Sequence, residues 1–128
     1  MSVLNPAGVP CILADGVEHR FLFSLNCIDD IEDSTQKTLR ENIIDLTNEK
    51  TNRKAIRDIV AALVNDEAGR NGDKTRITAQ EAGYLVTLEN MLAVTQAVLE
   101  AYGVSMPDKE DLGDDDGGKN SRGGKRKS

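Results

Sequence analysis

Tryptophan is absent from this chain, and phenylalanine and tyrosine occur only twice each. A core built from it must rest on Leu, Ile, Val, Ala and Met. Histidine occurs once and cysteine twice. Cys11 and Cys27 are too few for a disulfide framework, and their spacing matches no zinc motif. Reduced thiols are the expectation. No apolar run approaches the ~18 residues of a membrane-spanning helix. The start MSVLNPAGVP lacks the basic end and apolar middle of a signal peptide. These absences predict a soluble, intracellular protein.

What is present suits a single domain. The 128 residues are 38% hydrophobic and 30% charged, with a formal net charge of −6. Residues 108–116 hold six acids and one lysine, a net −5, while 117–128 hold five basic residues and no acid. These segments cancel, so residues 1–107 keep the whole −6. That balance predicts no nucleic-acid and no membrane partner. Leu112 is the only sizeable apolar residue of 108–128, so nothing there offsets the entropy of ordering. The expected organisation is a flexible N-terminus over 1–8, a folded domain over 9–107 and a disordered acidic-then-basic tail over 108–128. Asp114–Asp116 and Lys125–Lys127 read as solvated charge rather than as metal or phosphate sites.

The fold class expected is α+β, an N-terminal β-hairpin followed by about four to five helices. Two strand-like runs, 9–14 and 17–24, flank Asp15-Gly16, a pair suited to the positive φ angles of a tight turn. SLNCIDDIED predicts a short helix capped by Ser24 or Asn26, with Leu25, Ile28 and Ile31 on one side. In STQKTLRENIIDL, Leu39, Ile43 and Leu46 recur at helical spacing, with Ser34 or Thr35 as cap. NRKAIRDIVAALV carries Ile56, Ile59, Val60, Leu63 and Val64 at i, i+3, i+4, i+7 and i+8, a stripe wide enough to face a core. Residues 65–77 read as a Gly/Asn/Asp-rich loop. Thr78-Ala-Gln-Glu81 is a capping box, leading into a helix over 79–89. A further helix over 91–102, separate or continuous with it, ends at Gly103, and Pro107 closes the domain.

Candidate sites are few. With Glu81 as the last ligand of a calcium loop, Arg70 and Lys74 fall where oxygen ligands belong, so that reading fails. Asp29, Asp30, Glu32 and Asp33 are expected to complement a helix dipole at an N-terminus rather than to catalyse. His19 lies in the second strand with no serine or cysteine partner at motif spacing. Whether Cys11 or Cys27 approaches it is left open. GRNGDK lacks the spacing of a phosphate loop. No catalytic, metal or cofactor site is assigned. Leu85, Leu88, Met91, Leu92 and Val98 are the candidate partner-binding residues. They lie on the apolar face of 79–102, and Met91 offers an adaptable surface; the competing assignment for the same residues is core.

The order of parts carries a resemblance. Asp15-Gly16 at the turn and Arg20-Phe21-x-Phe23 in the second strand are followed by Lys54-Ala55-Ile56-Arg57 opening the central helix. Thr78-x-x-Glu81 and AVLEAYG then lead to an acidic, lysine-rich end. In this order residues 9–107 resemble the tail assembly chaperones of long-tailed (siphovirus-type) bacteriophages and their prophages. The resemblance implies a non-enzymatic protein of the host cell cytoplasm, absent from the mature virion. Such a protein binds the phage tape measure protein, prevents its aggregation and helps recruit tail tube subunits. It also implies a longer form made by programmed frameshift, through which the tail tube protein is engaged. Gly117-Gly118-Lys119 and Gly123-Gly124-Lys125 are of the kind a slippery run encodes. Self-association is a further expectation. The alternatives are a structural tail or head–tail connector protein retained in the virion, and a small enzyme or metal-binding protein.

Overall fold

The computed structural model describes residues 8–105. The start expected to be flexible, the boundary expected at Pro107 and the tail expected to be disordered lie outside the described residues, apart from Gly8. The architecture is α+β: a two-stranded antiparallel hairpin, then five helices. Strand β1 (Val9–Ile12) pairs with β2 (Glu18–Phe21), with Val9 opposite Phe21 and Cys11 opposite His19. Alternation places Val9, Cys11, His19 and Phe21 inward, and the adjoining Leu13 and Phe23 are buried as well.

The turn is longer than a two-residue one. Gly16 alone takes a positive φ, +77°, and its amide donates to Leu13 O at 2.9 Å. Asp15 serves through its side chain instead, accepting from the Val17 amide at 3.0 Å. An aspartate that caps its own turn removes the need for a second left-handed residue.

Helix α1 (Leu25–Thr35) starts at Ser24, whose hydroxyl accepts from the Cys27 amide. Its buried residues are Cys27 and Ile31; Ile28 is half-buried and Leu25 is exposed, so the expected Leu25–Ile28–Ile31 face is corrected. The acidic cluster starts beyond the first turn, too late to complement the dipole there. Glu32 instead accepts from the Leu39 amide at 2.7 Å, helping to satisfy the start of the next helix. Helix α2 (Leu39–Leu46) is capped by Thr38, not Ser34 or Thr35, in a capping box with Glu41. Leu39, Ile43 and Leu46 are buried, following the helical spacing of the sequence.

Helix α3 (Asn52–Arg70) is the centre of the molecule, contacting β2, α1, α2 and α4. Residues 59–63 are buried on every side, which a one-sided stripe does not anticipate. The helix also runs six residues into the expected loop. Helix α4 is one turn (Ala79–Ala82) opened by the Thr78–Glu81 capping box, and the helix expected over 79–89 stops there. Helix α5 (Met91–Ser105) packs on both strands and passes through Gly103 without ending. Val94, Val98 and Ala101 join Ile59, Val60 and Leu63 with no exposed surface. Phe23 meets Tyr102 edge to face, centroids 6.4 Å apart.

Candidate partner-binding surface

Large exposed apolar side chains recur from the turn after α4 into the first residues of α5. Of the eight such residues among those described, Tyr84, Leu88 and Leu92 fall within nine positions, and Leu88 is 88% exposed. A scattered exposed leucine is ordinary, whereas three large apolar side chains within nine positions mark a candidate surface. The segment is tied down at both ends. The Ala14 amide donates to Leu85 O at 2.9 Å, and Asn90 Nδ2 donates to the same oxygen at 3.1 Å. Thr87 and Asn90 then bond reciprocally: the Thr87 amide donates to Asn90 Oδ1 at 2.7 Å and the Asn90 amide to Thr87 Oγ1 at 3.3 Å. Leu88 sits inside that box and is held outward.

Beside this turn lies an open cavity of about 210 Å³, walled by Ile56, Val86, Leu88 and Met91 and by Arg53 and Arg57 of α3. Its size falls below the ~300–1,000 Å³ of small-molecule pockets, so it suits an anchoring side chain better than a ligand. The sequence candidates divide here. Leu88 and Leu92 are open to solvent, and Met91 and Leu85 are half-buried against the core. Val98 is fully buried and presents no surface; Leu88 and Met91 line the cavity and Val98 does not. Arg53 and Arg57 were not candidates, because a basic residue in an amphipathic helix reads as solvated face.

A second constellation joins the hairpin to the C-terminal half of α3. His19 has a carboxylate at each ring nitrogen: Glu67 Oε1 is 2.8 Å from Nδ1, and Asp15 Oδ2 is 3.0 Å from Nε2. Only the imidazolium donates to both. Burial by itself lowers the histidine pKa, but hydrogen bonds to Asp15 and Glu67 and their charges outweigh it, and the net shift is upward. Asp15 moves the opposite way. Its partial burial, which opposes ionisation, is overcome by the His19 and Val17 hydrogen bonds, and its pKa falls. Glu67 Oε2 also accepts from the Arg20 amide at 2.8 Å. Arg70 donates to Arg20 O and to Asp66 Oδ2, and Ser24 donates to Asp66 Oδ1 at 2.6 Å.

This seam is built to hold elements together. Both imidazole nitrogens are occupied, so neither serves as base toward Cys11 on the facing strand. Burial raises the Cys11 thiol pKa and, with the charges of Asp66 and Asp30, raises that of Cys27 further. A buried thiol with a raised pKa is a poor nucleophile. Among the described residues, no group of three or more His, Cys, Asp or Glu is placed to hold a metal ion. No described helix is long and apolar enough to cross a membrane. Comparison of the chain with protein-family models, with curated proteins and with solved structures gives no significant match.

Proposed function

We propose that the protein is a tail assembly chaperone of a long-tailed bacteriophage or prophage, acting in the host cytoplasm on the tape measure protein. The reading starts from the resemblance in the order of sequence elements. The observation that carries it further is the surface at 84–92, where Tyr84, Leu88 and Leu92 are exposed and the Thr87–Asn90 bonds hold Leu88 out beside a cavity sized for a side chain. A protein whose task is to cover apolar helices of a long client needs such a surface, and it needs it pre-formed. The chain's net charge of −6 keeps the loaded complex soluble. Recruitment of tail tube subunits belongs to a frameshifted longer form in this reading.

Co-expression with the tape measure protein encoded nearby tests the proposal. The client becomes soluble and co-elutes with this protein if the proposal holds; an insoluble client and no complex contradict it. Mass spectrometry of purified particles separates the chaperone from a retained tail or connector protein, because a chaperone leaves before the virion is complete.

A further inference from the structure

We infer that the cavity between α3 and the 84–91 turn takes an amphipathic client helix whose apolar stripe is bordered by carboxylates. The inference rests on the chaperone reading and names the chemistry of the client segment. Its basis is the charge of one wall. Arg53 and Arg57 are exposed, one helical turn apart, and neither has an ion-pair partner among the described residues. With Lys54 they place three cations in the first two turns of α3, where the helix dipole is positive and repels them. The first turn holds no acidic residue, and Thr51 makes no side-chain cap. Asp58 in the second turn attracts Lys54 and Arg57, and Lys54 lines a separate cleft with Asp45 and Asp58. The cavity wall itself therefore carries Arg53 and Arg57 and no acid. A wall with two arginines and no acid is complementary to an acidic partner.

The geometry supports the same occupant. A Cβ on Gly83 would stand 3.0 Å from Arg57 Cδ and 3.6 Å from Cγ, so the arginine stem lies across the bare glycine. The guanidinium is thereby set along the wall while its methylenes extend the apolar floor. Ile56, Val86, Leu88 and Met91 receive leucine-type anchors, and the two arginines meet carboxylates one turn apart on the flank of the incoming helix. Glu89, exposed on the same turn, is the single acid of 83–92 and is not part of the cavity wall. Cationic helices are therefore disfavoured by the wall itself.

The test uses two labelled helical peptides of about five turns, each with leucines at i, i+3, i+4 and i+7. One carries glutamates beside the stripe and the other lysines, and fluorescence anisotropy with the full-length protein reads binding. The glutamate peptide should bind at least about tenfold tighter than the lysine peptide, a gap that closes as salt rises. Arg53→Glu/Arg57→Glu should reverse the preference, and Leu88→Asp should weaken both peptides. Equal binding of the two peptides, preference for lysine, or a double variant with unchanged preference overturns the inference. If the tape measure protein is solubilised while the peptides show no charge preference, the cavity inference falls and the chaperone reading stands. If the preference and its reversal are seen but the client stays insoluble, the cavity inference stands and the chaperone reading falls.

Discussion

At the residue scale, His19 holds the hairpin to α3 through its charged form, and this fixes the direction of a pH effect. Its folded pKa is raised above the ordinary ~6.5, so its contribution is complete below that value and is lost as pH rises through the folded pKa. Asp15, with a lowered pKa, contributes above the ordinary ~3.9 and loses its contribution as pH falls through its own folded value. Thermal melts should therefore show greatest stability between about pH 4 and 6.5. The decline on the alkaline side should be missing in His19→Phe; an unchanged profile in that variant would remove His19 as its source. Ser24 does two things at once, capping α1 and donating to buried Asp66. Ser24→Ala should cost about 1–3 kcal/mol in urea unfolding, more than a cap alone, because Asp66 loses a partner. Gln36 ends α1 at φ 59°, ψ 30°, a left-handed conformation that disfavours side chains. Gln36→Gly should stabilise by about 1 kcal/mol, and a clear loss would show that the Gln36 side-chain bond to Asp33 O matters more.

At the scale of elements, what was legible depended on whether the partner of a residue is local. The Thr78–Glu81 box closes over three residues, and it could be read directly. Thr38–Glu41 has the same signature, but Ser34 and Thr35 upstream drew the cap assignment; the side chains of both bond back to Ile31 O within α1. Helix α3 runs to Arg70 rather than ending near residue 64 for a tertiary reason. Asn65, Asp66 and Glu67 look like loop residues because they are polar. In the fold, Asn65 bonds both the amide and the carbonyl of Ile77. Asp66 holds Ser24 and Arg70, while Glu67 holds His19 and the Arg20 amide. Each polar side chain is matched by a group more than ten residues away, except the Asp66–Arg70 pair, and no local pattern reveals such matches. The shortening of α4 follows similar logic: the Ala14 amide captures Leu85 O, and the Thr87–Asn90 box starts a new turn. The apolar sequence of 84–92 was legible as a candidate surface; its splitting into exposed Leu88 and Leu92, half-buried Leu85 and Met91, and Val98 in the core was not. Thr87→Ala should loosen the turn, lowering hydrogen-exchange protection at the Asn90 amide while leaving that of α3 unchanged.

At the scale of the whole molecule, a core that is poor in aromatics is organised around one central helix that contacts β2, α1, α2 and α4, while α5 packs on the hairpin. Replacing a leucine on such a scaffold has opposite meanings inside and outside. Leu63→Ala should cost about 2–5 kcal/mol, since Leu63 has no exposed surface. Leu88→Asp/Leu92→Asp should change stability by less than about 0.5 kcal/mol per site, since both side chains face solvent. That contrast supplies the most direct test of the proposed function. The soluble fraction of the co-expressed tape measure protein should be high with the wild-type protein and should collapse with the Leu88→Asp/Leu92→Asp variant, although that variant melts within several degrees of the wild-type temperature. Equal client solubility with the two proteins would contradict the account, because the surface at 84–92 would then have no part in holding the client.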